Sequence, residues 1–188
     1  MIIRDALETD ARQIAALHAA NWRFFYRGAL SNEFLDGDIV SERSAFWVNH
    51  LHLPPLNQHV LVAENEGKVV GFACVYANVD EQWDSLLDNL HVSQSMQRRG
   101  IGAKLLEAVA QWCEFHKASR GSFLWVVQSN LQAQRFYQAL GAVHAGSDLW
   151  VPPKGGHVPR YRFAWQSVSM LHHKAADHSN RSHKRSVG

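Results

Sequence analysis

The sequence predicts an α+β domain built on one mixed sheet, and three observations carry that prediction. Strand-like and helix-like stretches follow one another in the order β-α-α-β-β-β-α-β-α-β-β. One of them, SFLWVVQSN from Ser122, is almost continuously apolar, as in a strand buried on both faces. A chain of 188 residues at 46% hydrophobic fills one core and is short for two, so residues 1–169 are read as a single domain.

The chain opens with a short strand, IIRDA at 2–6. A helix follows in ETDARQIAALHAANWRFFYRG, where Thr9 or Asp10 can cap the first turn and Ile14, Leu17, Trp22 and Phe25 recur near helical spacing. A second helical region starts at a Ser31 cap and runs to Pro54-Pro55, which cannot continue it. HVLVAENEGKVVGFACVYANV reads as a hairpin with its turn at Asn65-Glu66-Gly67. An acidic connection, DEQWD, leads to a strand over about 86–93 and then to a helix over about 100–116, whose Ile101, Leu105, Ala108, Val109 and Trp112 form one apolar stripe. After SFLWVVQSN, the short helix LQAQRFYQALG stops at Gly141. AVHAGSDLWV and RYRFAWQSV are the last strands, on either side of the loop PPKGGHVP.

The formal charge of +2 divides unevenly. The segment from Met170 holds Lys174, Arg181, Lys184 and Arg185 against Asp177, a net of +3, and leaves the body at −1. A body with no basic excess argues against a nucleic-acid partner. The segment 170–188, polar and rich in Ser and His, is expected to be a disordered, solvated tail. No apolar run approaches a membrane span, and MIIRDALETDARQ lacks the features of a signal peptide, so a cytoplasmic protein without membrane contact is expected. Cys74 and Cys113 sit in apolar runs and read as buried thiols, with no metal framework.

The chemistry gathers at QRRGIGAKLLEAV, 97–109. A glycine pair between a strand and a helix is a generic anion site, because the first helical N–H groups are unpaired and the helix dipole favours negative charge there. A nucleotide P-loop is excluded, since Gly102 is followed by Ala103-Lys104-Leu105 with no Ser or Thr for magnesium. A Rossmann fingerprint is excluded too: Leu105 stands at its third glycine, and the next strand ends Gln128-Ser129-Asn130 without a carboxylate.

Gln97-Arg98-Arg99-Gly100-Ile101-Gly102 resembles the [Q/R]-x-x-G-x-[G/A] hallmark of the GNAT superfamily of acyl-CoA-dependent N-acyltransferases. NLQAQRFYQALGA from Asn130 is similar to its N-x-x-A-x-x-F-Y-x-x-L-G-F segment, with Ala142 departing from the usual Phe. The resemblance spans about 2–167. It implies a mostly antiparallel sheet with one splayed parallel pair, and acetyl-CoA as acyl donor. Leu90, His91 and Val92 would then pair with the pantetheine arm. The amides of Gln97, Arg98, Arg99, Gly100, Ile101, Gly102 and Ala103 would hold the pyrophosphate, and Asn130 would cap a helix, touch the cofactor, or both. It also implies Tyr137 as the acid that protonates the departing thiolate.

The general base is expected among Asp80, Glu81, Asp84 and Asp88. Asp88 is favoured, because strict alternation puts it on the face of Leu90 and Val92 and opposite His91; a bound water is the alternative. Trp22, Phe25, Tyr26, DEQWD and PPKGGHVPRY are candidates for the acceptor side, the acidic segment suiting a cationic amine. The expected activity is N-acetyl transfer to a primary amine of a small molecule or peptide in a ternary complex, with homodimerisation left open. The rivals are a silent acyl-CoA sensor on the same fold and a flavodoxin-like nucleotide binder.

Overall fold

A computed structural model of the chain describes residues 1–118, 120–152 and 156–186. The expected order of elements is present with two additions. The strands are β1 (Ile2–Asp5), β2 (Gln58–Asn65), β3 (Lys68–Asp80), β4 (Asp84–Val92), β5 (Ser122–Val127), β6 (Val143–Trp150) and β7 (Val158–Trp165). The helices are α1 (Ala11–Phe25), α2 (Asn32–Asp36), α3 (Ile39–His52), α4 (Ile101–Phe115), α5 (Leu131–Ala139) and α6 (Val168–Ser186).

The seven strands form one sheet ordered β1-β2-β3-β4-β5-β7-β6, antiparallel throughout except for β4 against β5. One face packs α1 and α3 on Val60, Val62, Phe72 and Cys74. The other packs α4 and α6 on Ala73, Val75, Leu124 and Val126. Cys74 and Cys113 are both free and buried. Among the described residues, no helix is long and apolar enough to cross a membrane.

Local chemistry accounts for the boundaries. Glu66 and Gly67 take φ of 52° and 74°, the left-handed pair that a two-residue hairpin needs, which leaves Asn65 inside β2. Ser31 Oγ accepts from the Phe34 N–H at 3.2 Å, the expected cap, but that helical region breaks at Gly37 and yields α2 and α3. Asp10 does not cap α1 by its side chain. Its carboxylate instead accepts from Arg4 at 2.7 and 3.0 Å and from the Leu7 N–H at 2.8 Å.

The expected disordered tail is corrected over 168–186, which form α6. Val168, Leu171, Ala175 and Ser179 recur every three or four residues and are buried against the sheet and α4. The polar composition hid a stripe that needs α4 beside it to be worth burying. Residues 153–155 of the loop PPKGGHVP and the last two residues lie outside the described part of the chain.

Candidate functional site

Pairing between β4 and β5 ends with Ser85↔Ser122 and Leu86↔Phe123. Beyond it the two strands border a cavity of about 820 Å³, with residues 87–92 on one side and 124–126 on the other. The start of α4 and one face of α5 add to the wall through Gly100–Ala103, Phe136 and Tyr137, and the end of α1 adds Trp22, Phe25 and Tyr26.

The end of α4 is prepared for an anion. Arg98 and Gly100 both take left-handed backbone, φ 62° and 78°. Gly100 at the N-cap has no side chain to occupy the first amides, and the first turn carries no acid. Among the described residues no side chain caps the N–H groups of Ile101, Gly102 and Ala103, residues that line the cavity at the positive end of a 15-residue helix. Gly102 serves another purpose. A Cβ on it would sit 3.1 Å from Phe136 Cζ, so this glycine lets α4 approach α5.

Every expected cofactor residue lines the cavity except Arg99, which is exposed to solvent outside it. The carbonyl of Val92 is already engaged, by the side-chain amides of Asn21 at 3.2 Å and Gln97 at 3.3 Å. Gln132 donates to Gln97 at 3.0 Å, tying the loop to α5. Asn130 caps α5 by accepting from the Ala133 N–H at 3.0 Å. The His91 ring lies against His18, centroids 4.6 Å apart and tilted by 34°, and burial lowers its pKa to about 4, so the ring is neutral. His18 accepts from Trp47 Nε1 at 3.0 Å, and burial holds its pKa well below the ordinary value.

Asp88 departs from the expected alternation. Cys74 pairs with Asn89 and Val75 with Leu87, which leaves Asp88 as the extra residue of a β-bulge. Its charge is felt at Tyr26, Cys74 and Tyr76 and answers to His50 and Arg43, all groups of the α1/α3 side, where His91 also packs on Phe72. The placement on the Leu90 and Val92 face, opposite His91, is thus overturned, because a bulge inserts a residue and resets the period. Asp88 lines the cavity and is open to it, and the partial desolvation of that recess raises its pKa.

Tyr137 lines the same cavity, and burial raises its pKa too. Tyr26, at the end of α1, is stacked on Trp22 at 5.4 Å, and burial pushes its phenol up to about 12. The other acids are engaged elsewhere. Asp84 is held by Arg120 through N–H bonds of 2.7 and 2.8 Å, Asp80 closes a turn by accepting from Gln82 and Trp83, and neither Asp80 nor Glu81 lines the cavity. The acidic DEQWD segment therefore takes no part in the cavity wall. Residues that the sequence reading did not single out do, among them Asn21, Trp125 and, from α6, His178. A helical register through the presumed tail was the one signal that could have pointed to His178.

Residues 14–142 match the profile of the acetyltransferase (GNAT) family. The chain is 26% identical over 161 residues to a probable N-acetyltransferase of Mycobacterium tuberculosis, covering 84% of this chain and 88% of that one. It is 29% identical to an uncharacterized N-acetyltransferase of Bacillus subtilis, covering 90% and 95%. Among solved structures, PaiA N-acetyltransferase from Thermoplasma acidophilum in complex with coenzyme A superposes with a TM-score of 0.67 at 17% identity, over 87% of this chain and 98% of that one.

Proposed function

Since the chain belongs to the acetyltransferase (GNAT) family and is an acyltransferase, we propose that it moves an acetyl group from acetyl-CoA to a primary amine by direct attack in a ternary complex. One observation carries the reading: the uncapped start of α4 faces the gap where β4 and β5 part company. An anion on those amides leaves a thioester-bearing arm free to run between the strands toward Tyr137 and Asp88. The cavity is large enough for such an arm, and the absence of acid in the first turn of α4 suits a pyrophosphate. Acetyl-CoA supplies an activated carbonyl and a thiolate leaving group.

The residues divide the remaining work. Main-chain groups of Leu90 and His91 pair with the arm, and the Val92 carbonyl ties the loop through Gln97 and α1 through Asn21. Gln97–Ala103 bind the pyrophosphate, with Arg98 adding charge from the rim. Asp88 takes a proton from the ammonium, and its raised pKa makes it a stronger base than a free aspartate. As nitrogen bonds to the carbonyl carbon and the C–S bond breaks, Tyr137, kept protonated by burial, donates to the sulfur, and the second nitrogen proton, released as the amide forms, restores the phenol. Incubation with acetyl-CoA and a panel of amines should release free CoA thiol in amounts matching the acetylated amine. Tight acetyl-CoA binding with no thiol release across the panel would overturn the reading.

A further inference from the structure

Asp88 lies in a cavity whose β5 wall includes Trp125. That indole carries two guanidinium groups: Arg160 Cζ lies 4.2 Å from its centroid and Arg162 Cζ 4.8 Å, with Arg162 also 5.0 Å from the Phe123 ring. The register explains the arrangement. β5 and β7 pair Trp125 with Arg162 and Val127 with Arg160, so the cations project beside the ring from the neighbouring strand.

The charges on this shelf do not balance. Asp148 is the carboxylate within ion-pair distance, bonded to Arg160 at 2.8 Å, and Arg162 acts on it only at longer range. Arg162 has no ion pair or hydrogen bond among the described residues, and the Nε atoms of both arginines are buried without a partner. A guanidinium lying on an aromatic ring keeps its N–H edge free for the planar, two-point binding of a carboxylate or phosphate. The shelf adjoins the cavity through Trp125, and the charge of Arg160 reaches Asp88.

We propose that the acceptor carries an anionic group, a carboxylate or a phosphate, which Arg162 and Arg160 hold on the Trp125 shelf while its amine meets Asp88. The inference rests on the acetyl-transfer reading and narrows it to anionic amines.

The test compares matched acceptors: β-alanine against propylamine, and phosphoethanolamine against ethanolamine. In the wild-type enzyme the anionic member of at least one pair should show kcat/KM at least tenfold higher. The pair that responds identifies carboxylate or phosphate. Arg162→Gln should bring the ratio close to one, and Arg162→Lys should retain part of it. Because the ratio is internal to each preparation, a partly folded variant still reports it. A wild-type ratio near one in both pairs, or a preference that survives Arg162→Gln, overturns the proposal. If no amine releases CoA, the transferase reading falls instead, and the anion site is then read directly. Acetate or inorganic phosphate should shift the Trp125 indole N–H resonance in the wild type and not in Arg162→Gln, and no shift with either overturns the site.

Discussion

Gly102 and Phe136 form one contact between the two sequence motifs: the place a Gly102 side chain would fill lies 3.1 Å from the Phe136 ring. The glycine of the anion loop and the aromatic of NLQAQRFYQALG are therefore one packing solution, which sets how closely α4 approaches α5. Gly102→Ala gains about 1 kcal/mol of helix propensity against an overpacking cost of about 1–3 kcal/mol. Thermal unfolding should show a net loss, and adding Phe136→Leu should restore most of it. Additive effects of the two changes would deny the contact.

Gly100 responds to a different constraint. Its φ of 78° penalises any side chain, and an acid there faces the uncapped amides of α4. Gly100→Asp should weaken acetyl-CoA binding, measured by titration calorimetry, by much more than Gly100→Ala does. Equal affinity in the two variants would remove the pyrophosphate from this loop.

Tyr137→Phe should lower kcat by roughly 10²-fold, the scale of one general acid, while leaving acetyl-CoA affinity within a few-fold. Matching losses in both quantities would make Tyr137 a packing residue only.

Partial desolvation raises the pKa of Asp88 above its value in the unfolded chain. Its contribution to stability is present below the ordinary aspartate pKa and is lost as pH rises through the raised value. Asp88→Asn should therefore lose turnover and the acid limb of the rate profile, with at most a small rise in unfolding temperature at neutral pH because the side chain is open to the cavity. A variant less stable at neutral pH would contradict the assignment.

His91 works in the opposite sense. Its pKa is lowered to about 4 by burial, so the neutral ring contributes stability above the ordinary histidine range that is lost as pH falls toward 4. A separation of that size corresponds to about 3 kcal/mol. Chemical denaturation of the wild type from pH 7 to 4 should show the loss, and His91→Leu should flatten it.

The docking of α6 has its own test. Leu171 is 1% exposed, and Leu171→Ala should cost about 2–5 kcal/mol of unfolding free energy. A solvated tail would tolerate the change without loss.

Local rules made much of this protein legible. The Glu66-Gly67 turn, the Ser31 cap, the helix stop at Gly141 and the glycine loop depend on a few neighbouring residues, and the spacing of the two motifs was enough to suggest the family. Short-range chemistry is written where it acts. The bulge at Asp88 depends on how β4 meets β3, the value of the α6 stripe on α4 lying beside it, and the Arg162 shelf on β7 pairing with β5 ahead of β6. These are contacts between segments far apart in the chain. A sequence periodicity can say which faces are apolar, but the register and partner of each face are fixed only when the strands and helices pack together.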